Sequence, residues 1–119
     1  MMTNKSPEPK ITFTLDSVTF NTFCVNLFPD SQHIVINIDQ ENQRLIIEPC
    51  KEYDRDSMQF ANLKNGKNIP RKYSVAIFCA MIYVFMGWNH TAKYSINAIY
   101  QEFGSKKIIV FNLDESLQH

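Results

Sequence analysis

The chain has 119 residues, 45% of them hydrophobic and including nine Phe and five Tyr, which suits one packed domain or two intimately fused small units. Three Gly and five Pro exclude a fibrous or low-complexity chain. Twelve basic and twelve acidic residues cancel, yet residues 1–59 hold five cations against nine carboxylates and residues 60–119 hold seven against three. That asymmetry fits either one basic face or two ordinary solvated surfaces.

In chain order, residues 1–9 read as a polar, proline-containing flexible leader with no apolar signal core. "ITFTL" (11–15) predicts a short strand. Asp16 or Ser17 then caps a helix whose Phe20, Phe23, Cys24, Leu27 and Phe28 recur at helical spacing, and Pro29-Asp30 ends it. "HIVINID" (33–39) alternates Ile34, Ile36 and Ile38 on one face, and "RLIIEP" (44–49) returns as a hairpin. Residues 50–64 read as a charged connector with one added strand, Met58–Leu63.

"GKNIP" (66–70) then gives a short extended piece, and Ser74 caps a helix over 74–86 that Gly87 closes. "KYSINAIYQEF" (93–103) puts Tyr94, Ile96, Ala98 and Tyr100 on one face, and "IIVFNLDE" (108–115) completes a second hairpin. The two passes share one order of elements, so the expected architecture is α+β: two β-α-β-β repeats, 10–49 and 66–115, in a single domain spanning 10–119. The helix at 74–86 is apolar around nearly its whole circumference, which makes it either the central helix or, through its outer face, a homodimer contact. Trp88, just past the Gly87 cap, is expected to plug the helix end.

Catalytic signatures are absent from the sequence. There is no P-loop, no G-x-G-x-x-G and no G-x-S-x-G. A zinc site would need the distant Cys50, His33 and His90 to converge, and Asp54 and Asp56 read as part of a solvated connector. Cys24, Cys50 and Cys79 form no C-x-x-C pair and lie beside apolar residues, as buried free thiols in a reducing, cytoplasmic setting would. The longest apolar run, Val75 to Trp88, is shorter than the ~18–20 residues of a membrane span. No cofactor, metal, small-molecule substrate or catalytic residue is expected, and an enzyme is the least favoured class.

The repeated pattern resembles the swapped-hairpin barrel of the AbrB and SpoVT transcription factors, and in particular MraZ, which carries both units in one polypeptide. The residues that carry the resemblance are "NIP" followed by a basic residue, "FMGWNHTAKYSIN" with "KKIIVFNL", and "FPDSQHIVINIDQENQRLIIEP", which lacks the Gly. "GKNIPRKYS", "MGWNHTAKYSINA" and "VFNLDE" are also similar to uncharacterised Firmicute mobile-element proteins often labelled integrase. That label implies an Arg, an H-x-x-R pair and a nucleophilic Tyr. None of His33, His90 and His119 is followed by Arg three positions on, so the label finds no support.

"KNGKNIPRKYS" (64–74) holds four cations and no carboxylate. The swapped-hairpin resemblance implies that Lys67, Arg71 and Lys72 meet DNA, with Lys64 on the approach. Phosphate contact by such groups gives affinity, while Arg71 or Asn68 would have to reach a base edge for specificity. The first repeat offers only Lys10 in the equivalent place. The expected function is therefore a DNA-binding, transcription-regulator-like accessory protein of a mobile element or regulatory system. A non-enzymatic protein-interaction module is the alternative, with the basic stretch an ordinary solvated turn.

Overall fold

A computed structural model describes residues 8–119. The described residues form β1 (Lys10–Phe13), β2 (Ser17–Phe20), α1 (Thr22–Val25), β3 (His33–Asp39), β4 (Arg44–Cys50), β5 (Met58–Gln59), β6 (Ala61–Lys64) and β7 (Lys67–Pro70). They continue as β8 (Tyr73–Ser74), α2 (Ala76–Met86), β9 (Tyr94–Phe103), β10 (Lys106–Asn112), a 3-10 turn (Leu113–Glu115) and β11 (Leu117–Gln118). The leader expected over 1–9 lies outside the described residues up to residue 7. Pro9 is already buried, and its carbonyl accepts from the Ala98 N–H at 2.9 Å, so the packed structure begins before β1.

One antiparallel sheet runs in the order β5-β3-β4-β10-β9-β1-β2-β8, with β11 also on β9. The ten-residue β9 links its two ends, pairing with β1 over Tyr94–Asn97 and with β10 over Ala98–Phe103. Phe60, one residue beyond β5, ties that edge of the sheet to the segment that leads into β8. Its N–H donates to the Gln32 carbonyl at 3.0 Å, and its own carbonyl accepts from the Arg71 N–H at 3.1 Å. The fold is thus α+β, a nearly closed, barrel-like antiparallel sheet with two helices.

Alternation fills its interior. Ile11 and Phe13 of β1 face Phe20 and Val18 of β2, and Ile34, Leu45, Ile47, Ile109 and Phe111 join them, all fully buried. Phe20 lies edge-on to Phe60 at 5.5 Å and tilted to Phe111 at 6.1 Å. Burial on this scale is the main stabilising term.

The first half departs from the expected helix. Ser17–Phe20 is a strand, and α1 is a single turn capped by Asn21, whose Oδ1 accepts from the Cys24 N–H at 2.9 Å. The reason is local. Asp16 and Ser17 belong to a tight turn: Thr14 Oγ1 bonds Asp16 Oδ1 at 2.9 Å and Ser17 Oγ at 2.7 Å, and the Thr14 N–H donates to the Ser17 carbonyl. With those side chains committed to a turn, "SVTF" is left free to alternate inward. Residues 50–64 are likewise more than a connector, since Met58, Phe60 and Ala61 enter the core.

In the second half, Ser74 pairs with Ser17 in the sheet, so helix α2 starts one residue after Val75 and ends at Gly87 in the left-handed region (φ 66°). Trp88 plugs that end as expected, stacked on Tyr94 at 4.3 Å and edge-on to Tyr83 at 5.2 Å. The Tyr83 hydroxyl donates to the Ala92 carbonyl at 2.6 Å. Cys24, Cys50 and Cys79 are all free, and burial pushes the Cys24 and Cys79 thiols up to about 12. Cys50 is only half-buried, because its place at the end of β4 leaves the sheet's interior. No helix among the described residues is long and apolar enough to cross a membrane.

Candidate nucleic-acid interface

The basic stretch forms most of a hairpin that stands apart from the main sheet. β6 and β7 pair only with each other, in the register Ala61↔Pro70, Asn62↔Ile69, Leu63↔Asn68 and Lys64↔Lys67. The loop is the two residues Asn65 and Gly66, both at positive φ (52° and 77°), the signature of a type I′ turn whose twist matches that of the strands. Register partners share a face, so Asn62, Lys64, Lys67 and Ile69 lie together on one side of the ribbon, and all four are exposed.

The other side is anchored. Asn68 is 1% exposed, and its Nδ2 lies 2.8 Å from the Val25 carbonyl and 2.9 Å from those of Phe28 and Ser31. Its Oδ1 accepts from Gln32 Nε2 at 2.9 Å. Asn26 completes the clamp: its Oδ1 accepts from the Asn68 N–H, and its Nδ2 donates to the Asn68 carbonyl at 3.0 Å. The first of these contacts, with Val25, satisfies the last carbonyl of α1, a place where a helix needs partners from elsewhere, and the others tie down the loop that follows it. Asn68 is therefore enclosed, with its carboxamide committed within the protein, and does not reach outward to a base edge.

The cations divide into two pairs. Lys64 and Lys67 sit directly opposite each other beside the turn. Arg71 and Lys72 follow the ribbon, both exposed, and the Arg71 guanidinium lies 5.8 Å from the centre of the Tyr73 ring. The ion pair found among the described residues, Lys106 with Glu48 at 3.0 Å, involves none of the four. Between α1 and the ribbon lies a recess of about 560 Å³, with Thr22 and Asn26 on one wall and Lys64, Lys67 and Ile69 on the other. Its mouth offers the Thr22 hydroxyl, the Asn65 amide and two ammonium groups, the donor types that bind phosphate oxygens, while the Asn26 amide is committed to the Thr22 and Asn68 carbonyls.

The four cations are plain in the sequence, but the paired ribbon that carries Lys64 and Lys67 is not among the elements expected from it. Asn65-Gly66 was the available signal, being the strongest short-range mark of a two-residue hairpin. The partnership of Asn26 with Asn68, 42 residues apart, has no local signature.

Other residue groups singled out by type are dispersed. His33 and Cys50 are direct cross-strand partners, but His90 lies elsewhere, edge-on to Tyr83. No group of three or more His, Cys, Asp or Glu among the described residues could hold a metal ion. Partial burial, then the nearby Asp54, raise the Cys50 thiol above its ordinary value, which favours the thiol over the thiolate. Asp54 is engaged locally, its Oδ2 accepting from the Lys51 N–H at 2.9 Å. Comparison with protein-family models, with curated proteins and with solved structures gives no match.

Proposed function

We propose that this chain is a non-enzymatic DNA-binding protein that meets the duplex with the β6–β7 ribbon. The observation that carries the reading is the Lys64–Lys67 pair. Like charges directly opposite on a ribbon destabilise it, and no carboxylate among the described residues relieves this one. A polyanion would convert that repulsion into attraction. A two-stranded ribbon also has the cross-section that B-DNA's major groove admits. In this reading Lys64, Lys67 and Lys72 contact phosphates. Arg71 is the residue left to read a base edge, since Asn68 is enclosed.

We further infer that the two halves form an intertwined, swapped-hairpin pair of the AbrB and MraZ kind, in a mobile-element or regulatory protein of the cytoplasm. Supporting this, β1 of the first half pairs with β9 of the second and β4 with β10 across the middle, while β5, from the residues that join the halves, pairs with β3. The first half runs hairpin, helix, hairpin (β1–β2, α1, β3–β4), one strand longer than the β-α-β-β reading of the sequence, and the second runs β7, β8, α2, β9, β10.

Fluorescence anisotropy on specific and random duplexes at two salt concentrations tests the DNA reading. Each phosphate neutralised adds about −0.9 to the log–log salt slope, so the four cations supply at most roughly −3 to −4. The triple variant Lys67→Ala, Arg71→Ala, Lys72→Ala should remove most of that slope with the fold intact, because all three side chains are exposed. If the unaltered protein binds no duplex at low salt, the stretch is a solvated turn and the interaction-module reading replaces this one.

A further inference from the structure

Helix α2 holds eleven residues, AIFCAMIYVFM, with no charge and no side-chain amide. One face is used: Cys79, Ile82 and Tyr83 are buried against the sheet. The opposite face is open, with Ile77 90%, Val84 72% and Met81 46% exposed, and with Ala76 and Ala80 exposed between them. Contiguous exposed apolar surface of this kind marks a contact site. This surface is independent of the basic ribbon.

We propose that the open face of α2 is a two-fold contact with a second copy of this chain. Shape supports that occupant. Residues four apart form rows along a helix, and here a row of large side chains, Ile77, Met81 and Phe85, lies beside a row that begins with the small Ala76 and Ala80. The large row of one copy fits the shallow groove left by the small row of the other, and an antiparallel pair makes that fit twice. Packing between such rows gives a crossing angle of about −50°.

Charge supports it too. α2 has no acidic residue in its first turn and no basic residue in its last, so neither end of its dipole is neutralised within the helix. Antiparallel copies set each positive end beside a negative one. A second copy is also certain to present an uncharged face, so no charge is buried without a partner. A lipid surface fits less well: helices that lie on membranes carry Lys or Arg along their polar side, and α2 carries none.

The test is sedimentation equilibrium of the whole chain across a micromolar concentration series. The expected result is a reversible monomer–dimer equilibrium. Ile77→Glu and Val84→Glu should each shift it at least tenfold toward monomer while leaving the circular dichroism unchanged, because both side chains face solvent. Ile99→Glu, exposed on the sheet instead, should leave the equilibrium unaltered. In a Cys50→Ser background, Ala80→Cys should give a disulfide-linked dimer on mild oxidation. A protein that stays monomeric throughout overturns the proposal, as does a dimer that survives both glutamate changes. Binding of the monomer to neutral or anionic phospholipid vesicles, lost in Ile77→Glu, would overturn it in favour of a membrane.

Discussion

Two hairpins of similar length, β1–β2 and β6–β7, are stabilised in opposite ways. In β1–β2 every second side chain is an apolar group at full burial: Ile11, Phe13, Val18 and Phe20. Its turn is closed by the Thr14, Asp16 and Ser17 side chains. In β6–β7 burial is confined to Ala61 and Asn68, while Leu63 and Ile69 stay exposed. One hairpin is held by the core, the other by a polar clamp at Asn68, in the second register pair from its turn. A clamp that needs one asparagine leaves the remaining positions free of packing duty, and those are where the lysines stand. The contrast separates residues that make the fold from residues available for binding.

The sharpest way to break the contrast is to remove one aromatic from the core-held hairpin. Phe20→Ala should lower stability by about 3–5 kcal/mol, because the ring's contacts with Phe60 and Phe111 leave a cavity the sheet cannot close. Ile69→Ala, on the open ribbon, should change stability by under about 1 kcal/mol. Urea denaturation of both variants measures the gap, and equal losses would refute the division.

Asn68→Ala tests the clamp. It strands the carbonyls of Val25 and Ser31 together with the Gln32 amide, while the Phe28 carbonyl keeps its bond from the Ser31 N–H at 3.0 Å. Buried polar groups without partners cost about 1–3 kcal/mol each, and water admitted by the smaller side chain offsets part of that. A net loss of about 2–3 kcal/mol is expected, with ribbon amides exchanging faster than those of β1–β2. If Asn68 instead served binding, affinity would fall with stability unchanged.

The difference between the hairpins also explains what was legible in the sequence. β3 and β4 are legible almost to the residue, because Ile34, Ile36 and Ile38 recur at every second position of β3 and the turn that leads to β4 is polar. The end of α2 was marked by Gly87 in the same direct way. β2 was hidden by coincidence: Phe20, Phe23, Cys24, Leu27 and Phe28 satisfy a helical period, though Phe20 belongs to a strand and Phe23 is exposed. The Thr14, Asp16 and Ser17 turn decided the matter, and Asp or Ser there reads equally well as a helix cap. At the ribbon, four cations were visible but the clamp was not, since it joins residues that meet only once the chain has folded.

A smaller effect is expected at the ribbon's turn. Gly66→Val places a β-branched residue at φ 77°, where a Cβ would meet nothing within 4 Å. The loss is therefore backbone strain alone, about 1–2 kcal/mol. Because strain acts on the turn and not on the clamp, the ribbon should loosen at its tip while Asn68 stays protected from exchange.

The smallest expected change in stability carries the most information about function. Lys67→Glu replaces a like-charged pair opposite Lys64 with an attractive one, and cross-strand pairs of opposite charge contribute roughly 0.2–1 kcal/mol. Both side chains are exposed, so salt should shrink the gain. The variant should unfold at slightly higher urea than the unaltered protein. Its duplex affinity should nevertheless fall, with the salt slope reduced by roughly one to two phosphates: one cation is lost and its neighbour is drawn into an ion pair. A binding loss alone could be blamed on damage to the fold, and a stability gain alone says nothing of DNA. Opposite signs in the two measurements would mean that the lysine is kept at the expense of the ribbon's own stability. If stability rises and duplex binding does not change, Lys67 is an ordinary surface cation and the ribbon is not the DNA contact.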